Sequence, residues 1–408
     1  MTAREYPVFT VTPKAERSLR AGHPWVYGEE VTAVEGAYQN GDMVDVVSNK
    51  GRYLGTGWVN DHSKIRVRII SRNANDTFDE AFFRRRVCYA LNYRKTVMGP
   101  VDYRCCRLIF GEADQFPGLT VDRFENILVT QVLSLGMERR KDWVYRALVE
   151  LLREDGEQID AIYERNDVAI RTLEGLEQGK GFYQMEGLRT DLSGHVTITE
   201  NRIKYDVDYI EGQKTGFFLD QKYNRQAAAK LARGRRVLDC FTHTGAFALN
   251  AAAAGAEHVT AVDVSAFALE LAAENGKRNG LTNLDYKCAD VFDLLTEMAK
   301  EKKCDYDYII LDPPAFTKSR ATAKNAYHGY KEINMKAMRL LPRGGYLATC
   351  SCSHFMTDEM FRKMLREAAL DAGVTLRQIE ARQQAPDHPI LPGVPETDYL
   401  KFYLLQVV

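Results

Sequence analysis

Two short segments carry the residue types that chemistry uses. Thr349-Cys350-Ser351-Cys352-Ser353-His354 holds two of the chain's eight cysteines, and Asp312-Pro313-Pro314-Ala315-Phe316 sets a carboxylate before two prolines. Successive prolines remove two backbone N–H donors and keep the chain extended, so Asp312 and the carbonyls beside it form a rigid polar edge. Such an edge suits a planar base with exocyclic groups. A thiolate next to it can add to C6 of a pyrimidine and make C5, otherwise a weak nucleophile, enamine-like and ready to accept a methyl group. Free cysteine is only a few per cent thiolate at neutral pH, so the site must lower the thiol pKa or provide a base. Strand alternation puts Cys350 and Cys352 on one face. Packing as small hydrophobes is the competing reading for both.

A second set of residues suits a ligand. Val237-Leu238-Asp239-Cys240-Phe241-Thr242-His243-Thr244-Gly245 is a strand followed by a turn with one glycine, which lets a ligand approach the backbone at Gly245. It is not GxGxxG, so a dinucleotide pyrophosphate is poorly provided for. Asp263 stands 24 positions after Asp239, where a carboxylate accepts from ribose hydroxyls. Asp290 is placed to accept from an adenine amino group, with Val291 or Phe292 over the ring. Each Asp alone reads equally well as a helix N-cap. The ordered set of three points to a phosphate-free adenosyl cofactor, S-adenosylmethionine, whose sulfonium charge is tolerated near Asp239 or Asp312. His243 receives no catalytic role.

These residues need a scaffold. Strands are predicted at Arg236–Cys240, His258–Val264, Asp285–Cys288, Tyr306–Leu311, Gly345–Ser351 and Lys401–Val407. Helices are predicted at Gly245–Ala254, Ala266–Asn279, Phe292–Lys300, Tyr330–Leu341 and Asp358–Ala372. Alternation of this kind specifies an α/β, doubly wound, mainly parallel sheet whose ligands lie beyond the strands' carboxyl ends. Upstream, residues 7–71 read as a small all-β unit with strands Asp42–Ser48, Tyr53–Val59 and Ile65–Ile70 and little helical periodicity. Between them lies an α+β region with helices over Asp79–Val97 and Lys141–Arg153. Its strands are expected around Cys106–Phe110 and Ile127–Leu133. The expected domains are residues 1–73, 74–195 and 196–408.

At 45% hydrophobic and 27% charged residues, 408 positions are neither disorder-like nor membrane-like. A net charge of −1 excludes a uniformly basic coat. Residues 1–110 hold 17 basic against 12 acidic side chains, and the remainder 38 against 44, so a polyanion is drawn weakly to the front. No leader pattern opens the chain and no apolar run of about 18 residues follows, so a cytoplasmic location is expected. Without a CxxC pair a zinc site is not expected.

The chain resembles the bacterial large-subunit (23S) ribosomal RNA cytosine-5 methyltransferases of the large-subunit methyltransferase I type. The resemblance rests on Arg17-Ser18-Leu19 with His23-Pro24-Trp25-Val26-Tyr27, Phe116 to Arg123, Tyr163 to Val168, Lys214 to Gln221, Asp239 to Phe247, Asp312-Pro313-Pro314 and Ser351-Cys352-Ser353. It implies a Rossmann-like class I methyltransferase domain behind an N-terminal PUA β-barrel and a central α+β domain. It also implies S-adenosylmethionine as donor and Cys352 as nucleophile, with Cys350 kept as a backup, while the residues themselves put Asp312 beside it as the carboxyl that stabilises the adduct through the cytosine N3 and amino edge. The cofactor-binding set is then Asp239, Phe241, Thr242, Gly245, Asp263, Asp290, Val291, Gln221, Asp312 and Pro313. Related small-subunit enzymes carry a second cysteine after the two prolines. Ala315 stands there instead, which leaves removal of the C5 proton without a named residue.

A PUA barrel grips RNA by shape and backbone contacts, with Arg17, Arg20, Lys64, Arg66 and Arg68 as candidate phosphate contacts. The Arg84-Arg85-Arg86 run is a helix face first. The expected partner is 23S ribosomal RNA or a pre-ribosomal particle, with no membrane, and a homodimer is a permitted assembly. The alternatives are methylation of another RNA or of an exocyclic amine, which Ala315 in place of an aromatic disfavours, and a non-catalytic RNA-binding assembly factor.

Overall fold

The computed structural model describes residues 5–301, 304–317 and 322–408; residues 1–4, 302–303 and 318–321 lie outside that description. The chain forms two compact units. The first runs to Ile198 and takes in Val207–Leu219 and Pro386–Thr397; the second comprises Thr199–Asp206, Asp220–Ala385 and Asp398–Val408.

In the first unit, short Val- and Ile-rich runs between turn residues pair into a six-stranded sheet. Its order is Trp25–Tyr27, Ile65–Ser71, Tyr53–Val59, Met43–Ser48, Val8–Val11, Val31–Glu35. All neighbours are antiparallel except Val8–Val11 with Met43–Ser48. One expectation is corrected: this region contains a helix, Pro13–Arg20, which Thr12 caps by accepting from the Ala15 N–H at 3.3 Å. Ala15 and Leu19 are its only buried residues, a pair too sparse to register as periodicity.

Gly179–Phe182, Ala161–Asn166, Ile127–Val132, Leu119–Phe124 and Cys105–Phe110 form a second, five-stranded sheet, in that order. Helices Glu80–Val97 and Lys141–Glu154 belong to the same unit. Trp58 lies over Gly136, where a Cβ would come within 2.0 Å of its ring.

In the second unit β1 (Arg236–Cys240), β2 (His258–Asp263), β3 (Leu284–Cys288), β4 (Tyr308–Leu311), β5 (Tyr346–Ser351), β6 (Leu376–Arg382) and β7 (Lys401–Val407) build one seven-stranded sheet. Its order is β3-β2-β1-β4-β5-β7-β6. The first five are parallel, β7 runs antiparallel to β5, and β6 antiparallel to β7. The helices are α1 (Lys222–Ala229), α2 (Ala246–Ala253), α3 (Ala266–Arg278), α4 (Val291–Glu301), α5 (Ala323–Leu340) and α6 (Asp358–Ala372).

β4 shows why the strands read as unbroken apolar runs. Ile309 and Leu311 enter one core cluster with α4, α5 and α6, while Tyr308 and Ile310 enter the other with α1 and α2. With both faces covered, the carboxyl ends and the loops after them are where the sheet meets ligand. The predicted strands and helices match within a residue or two, with three exceptions, the first being α1 (Lys222–Ala229), where no helix was expected. β6 was not anticipated, because LRQIEAR is largely exposed at the edge and lacks an apolar pattern. α5 begins at Ala323 rather than Tyr330; Gly329 breaks its pattern, and a Cβ there would press on Phe316 at 3.3 Å. No helix among the described residues is long and apolar enough to cross a membrane.

Candidate active site

The loop after β1 turns sharply. Phe241 (φ 63°), His243 (φ 52°) and Gly245 (φ 84°) all adopt left-handed conformations, an unusual cost for two side-chain-bearing residues and a mark of an over-determined functional turn. The Thr242 N–H donates to the Val262 carbonyl and the Gly245 N–H to the Thr242 carbonyl, both at 2.9 Å. A Cβ on Gly245 would lie 2.5 Å from Leu249 Cδ1 and 2.9 Å from Ala272 Cβ, so the helix that follows packs too close for any other residue.

Asp239, fully buried at the end of β1, accepts through Oδ2 from the Thr242 hydroxyl at 2.5 Å and the Ala248 N–H at 2.9 Å. Its Oδ1 is buried with no hydrogen-bond partner among the described residues. Burial, opposed by the Thr242 bond and reinforced by the Asp312 charge, raises its pKa to about 7. An orphaned carboxylate oxygen of this kind fits a cationic group of a ligand.

Asp263, half-buried at the end of β2, is oriented by backbone: Oδ2 accepts from His243 N–H at 2.9 Å and Oδ1 from Ser265 N–H at 3.0 Å. Asp290 is exposed and its Oδ1 accepts from the N–H groups of Phe292 (2.7 Å) and Asp293 (3.2 Å), so it caps α4. Val291 lies in the core rather than over the crevice. The apolar wall comes from Phe316, whose ring centroid is 5.7 Å from Phe292, 6.5 Å from Phe241 and 4.5 Å from Tyr330.

At the ends of β4 and β5 a second cluster forms. Gln221 Nε2 donates to Asp312 Oδ1 at 3.0 Å, and the Asn224 amide donates to Gln221 Oε1 at 2.7 Å, which fixes the orientation of the Gln221 amide. Buried Cys350 lies beside Asp312 and Gln221, and burial drives its thiol well above the ordinary value. Burial likewise lifts Asp312 to about 6, against the opposing charge of Arg225. Cys352, just past the end of β5, is half-buried with Sγ 4.0 Å from the Pro313 carbonyl. Ser353 Oγ donates to the Thr317 carbonyl at 3.1 Å, tying the cysteine turn to the loop that carries the prolines.

The site therefore brings together Asp239, Phe241, Thr242, Gly245 and Asp263 in one cluster and Gln221, Asp312, Pro313 and Cys352 in another. Thr242 serves Asp239, and Gln221 serves Asp312. Sequence reasoning missed the Asn224–Gln221 relay and Lys401. A polar residue buried at the start of an apolar strand, Lys401 in KFYLLQV, was the signal available.

The five candidate RNA cations lie in the first unit. Arg17, Arg20 and Lys64 are exposed, Arg20 lying 4.0 Å from Glu16. Arg66 is paired with Asp61, and Arg68 is buried, bonded to Glu174 at 2.7 Å with Glu112 at 3.7 Å. Arg68 is thereby committed to the protein interior.

A PUA-like domain profile matches residues 9–72, and a profile for S-adenosylmethionine-dependent methyltransferases matches residues 183–404. The chain is 40% identical over 401 residues to the ribosomal RNA large subunit methyltransferase I of Pseudoalteromonas atlantica, covering 98% of this chain and 99% of that one. Against the protein of the same name from Shewanella denitrificans the identity is 42% over 399 residues, with 97% and 98% covered. Among solved structures, a Streptococcus mutans chain described as a SAM-dependent methyltransferase superimposes with a TM-score of 0.81 at 22% identity, over 98% of this chain and all of that one. That last likeness speaks for the fold.

Proposed function

The chain belongs to the ribosomal RNA large subunit methyltransferase I family of S-adenosylmethionine-dependent methyltransferases, and on that premise we propose that it methylates cytosine C5 in 23S ribosomal RNA through a covalent adduct at Cys352. The observation that carries the reading is the meeting of Cys352, the Pro313 carbonyl and the Asp312–Gln221–Cys350 cluster at the ends of β4 and β5.

S-adenosylmethionine supplies the electrophilic methyl group when bound. Asp263, held by two backbone N–H groups, takes the ribose hydroxyls; the orphaned Oδ1 of Asp239 takes the cationic end; Asp290 meets the adenine edge. Phe292 covers the ring in place of Val291. Asp312 addresses the N3 and amino edge of the cytosine. A carboxyl held near pKa 6 retains part of its proton near neutral pH and can donate it toward N3 as charge develops there.

Cys352 Sγ bonds to C6 and the C5–C6 electron pair moves to C5, which bonds to the methyl carbon as the donor's sulfonium carbon–sulfur bond breaks to a neutral thioether. Solvent takes the C5 proton as base, the C5–H electron pair re-forms the C5–C6 double bond, and the C6–S pair leaves with the Cys352 thiolate. The cytosine must be unstacked to reach this crevice, which costs least in single-stranded or loop RNA.

The test is nucleoside mass spectrometry of ribosomal RNA from cells with and without the gene. We expect one 5-methylcytidine to disappear, to return with wild type, and not to return with Cys352→Ala. Cys352→Ala is expected to keep its affinity for S-adenosylmethionine, whereas Asp263→Ala mainly weakens it. Near-normal turnover by Cys352→Ala would overturn the adduct, and loss of an N-methylated base instead would overturn the C5 assignment.

A further inference from the structure

Lys401 opens β7 directly opposite Ser351, the last residue of β5. It is 4% exposed, and its Nζ donates to the Ser353 carbonyl at 2.6 Å and the Tyr399 carbonyl at 2.7 Å. Those two bonds use two of the three ammonium N–H groups. Among the described residues no carboxylate reaches it within ion-pair distance. The two nearby acids are engaged elsewhere: Asp358 accepts from the Tyr403 hydroxyl, and Asp398 accepts from Gln383 Nε2 at 3.2 Å. An ammonium buried without a paired anion is costly to the fold, and an apolar residue at a strand start would avoid that cost.

We infer that Lys401 is a positioning residue for the proposed nucleophile: its ammonium pins the turn that carries Cys352 and presents a positive charge that favours the Cys352 thiolate. The inference rests on the reading of Cys352 as nucleophile.

Three observations bear on it. The carbonyl that Lys401 holds belongs to Ser353, the residue next to Cys352, so the ammonium anchors the turn one peptide beyond those that flank the Cys352 Cα. Burial lowers Lys401 to about 8, while the charges of Asp398, the Cys352 sulfur and Asp358 act in the opposite sense. The interaction is reciprocal: a thiolate that stabilises the ammonium is stabilised by it to the same extent. Cys350 and Tyr330 also face the sulfur, and burial holds both protonated, so neither supplies a cation to the thiolate. A nucleophile two residues from a buried thiol thus gains its ionisation from β7, an element that contributes no other residue to the chemistry described above.

The experiment uses the full-length chain and follows alkylation of Cys352 by iodoacetamide against pH, read by fragment-ion mass spectrometry that places the label on Cys352 and separates it from Cys350 in the same peptide. In the wild type the alkylation midpoint is expected below the ordinary thiol value of about 8.5. In Lys401→Met, which keeps the length and removes the charge, the midpoint moves up by about one unit, a roughly tenfold loss of thiolate at neutral pH. Single-turnover methyl transfer falls about tenfold at pH 7 and recovers as pH rises, with affinity for S-adenosylmethionine within twofold of wild type. Lys401→Arg restores much of the midpoint shift. An unchanged midpoint in Lys401→Met overturns the inference. If that variant does not fold, a wild-type midpoint at or above 8.5 overturns it instead. Failure of the nucleophile reading is seen separately, as methylation that survives in Cys352→Ala.

Discussion

Asp239 is a carboxyl with one oxygen satisfied twice and the other not at all, and its titration follows from that asymmetry. Its pKa is raised from 3.8 to about 7, so between these values the folded chain keeps a proton that the unfolded chain has released. The stability this contributes is fully present below about pH 3.8 and is lost as pH rises through 7. A cationic ligand at Oδ1 has the opposite preference, for the ionised form. The dissociation constant for S-adenosylmethionine is therefore expected to rise by up to about tenfold from pH 8 to pH 6, with proton uptake by the protein reversed on binding. Calorimetry in two buffers of different ionisation enthalpy measures this, and Asp239→Asn should lose the slope. A flat profile in the wild type would show that no cation meets Oδ1.

At the scale of elements, the Phe241–Gly245 turn is where strain concentrates. Gly245→Ala must place a side chain at φ 84° and drive its Cβ to 2.5 Å from Leu249. The expected cost is about 1–2 kcal/mol, seen as a lower Tm, together with weaker cofactor binding because Asp263 is oriented by the His243 N–H of the same turn. A variant with wild-type Tm and affinity would mean that the turn tolerates the left-handed alanine. The inner strands β1, β4 and β5 were legible in the sequence because they are largely apolar and bounded by turn residues, and α2, α3 and α6 because their periodicity is uninterrupted. β6 was not, since an edge strand with polar faces carries no period-2 signal. Neither was the start of α5, since Gly329 leaves room for Phe316, a contact decided by packing rather than by local propensity.

For the whole molecule, the weak positive balance of residues 1–110 resolves into cations with different duties. Arg17→Glu, Arg20→Glu and Lys64→Glu should each leave Tm unchanged, weaken RNA binding across sequences and lower the slope of log affinity against log salt by about one. Arg68→Ala should behave otherwise. It leaves Glu174, which also accepts from Asn60 at 3.0 Å, as a buried carboxylate without its cation, at a cost of about 3 kcal/mol in stability. Thermal melts and a salt titration of RNA affinity separate the two groups. An Arg68→Ala protein with unaltered Tm would return that residue to the list of phosphate contacts. The profile matches fall at 9–72, a PUA-like part, and 183–404, a methyltransferase part.

The sequence by itself determined the alternation of strand and helix, the acidic strand ends Asp239, Asp263 and Asp290, the Asp-Pro-Pro edge and the Ser-Cys-Ser strand end, because each depends on residues close together in the chain. The tertiary structure alone decided which groups serve which. It turned Gln221 toward Asp312, placed Val291 in the core, paired Arg68 with Glu174 and set Lys401 beneath the Cys352 turn. Those partners lie dozens to more than a hundred residues apart, and hydrogen bonding and desolvation act through distance in space, which local pattern does not encode.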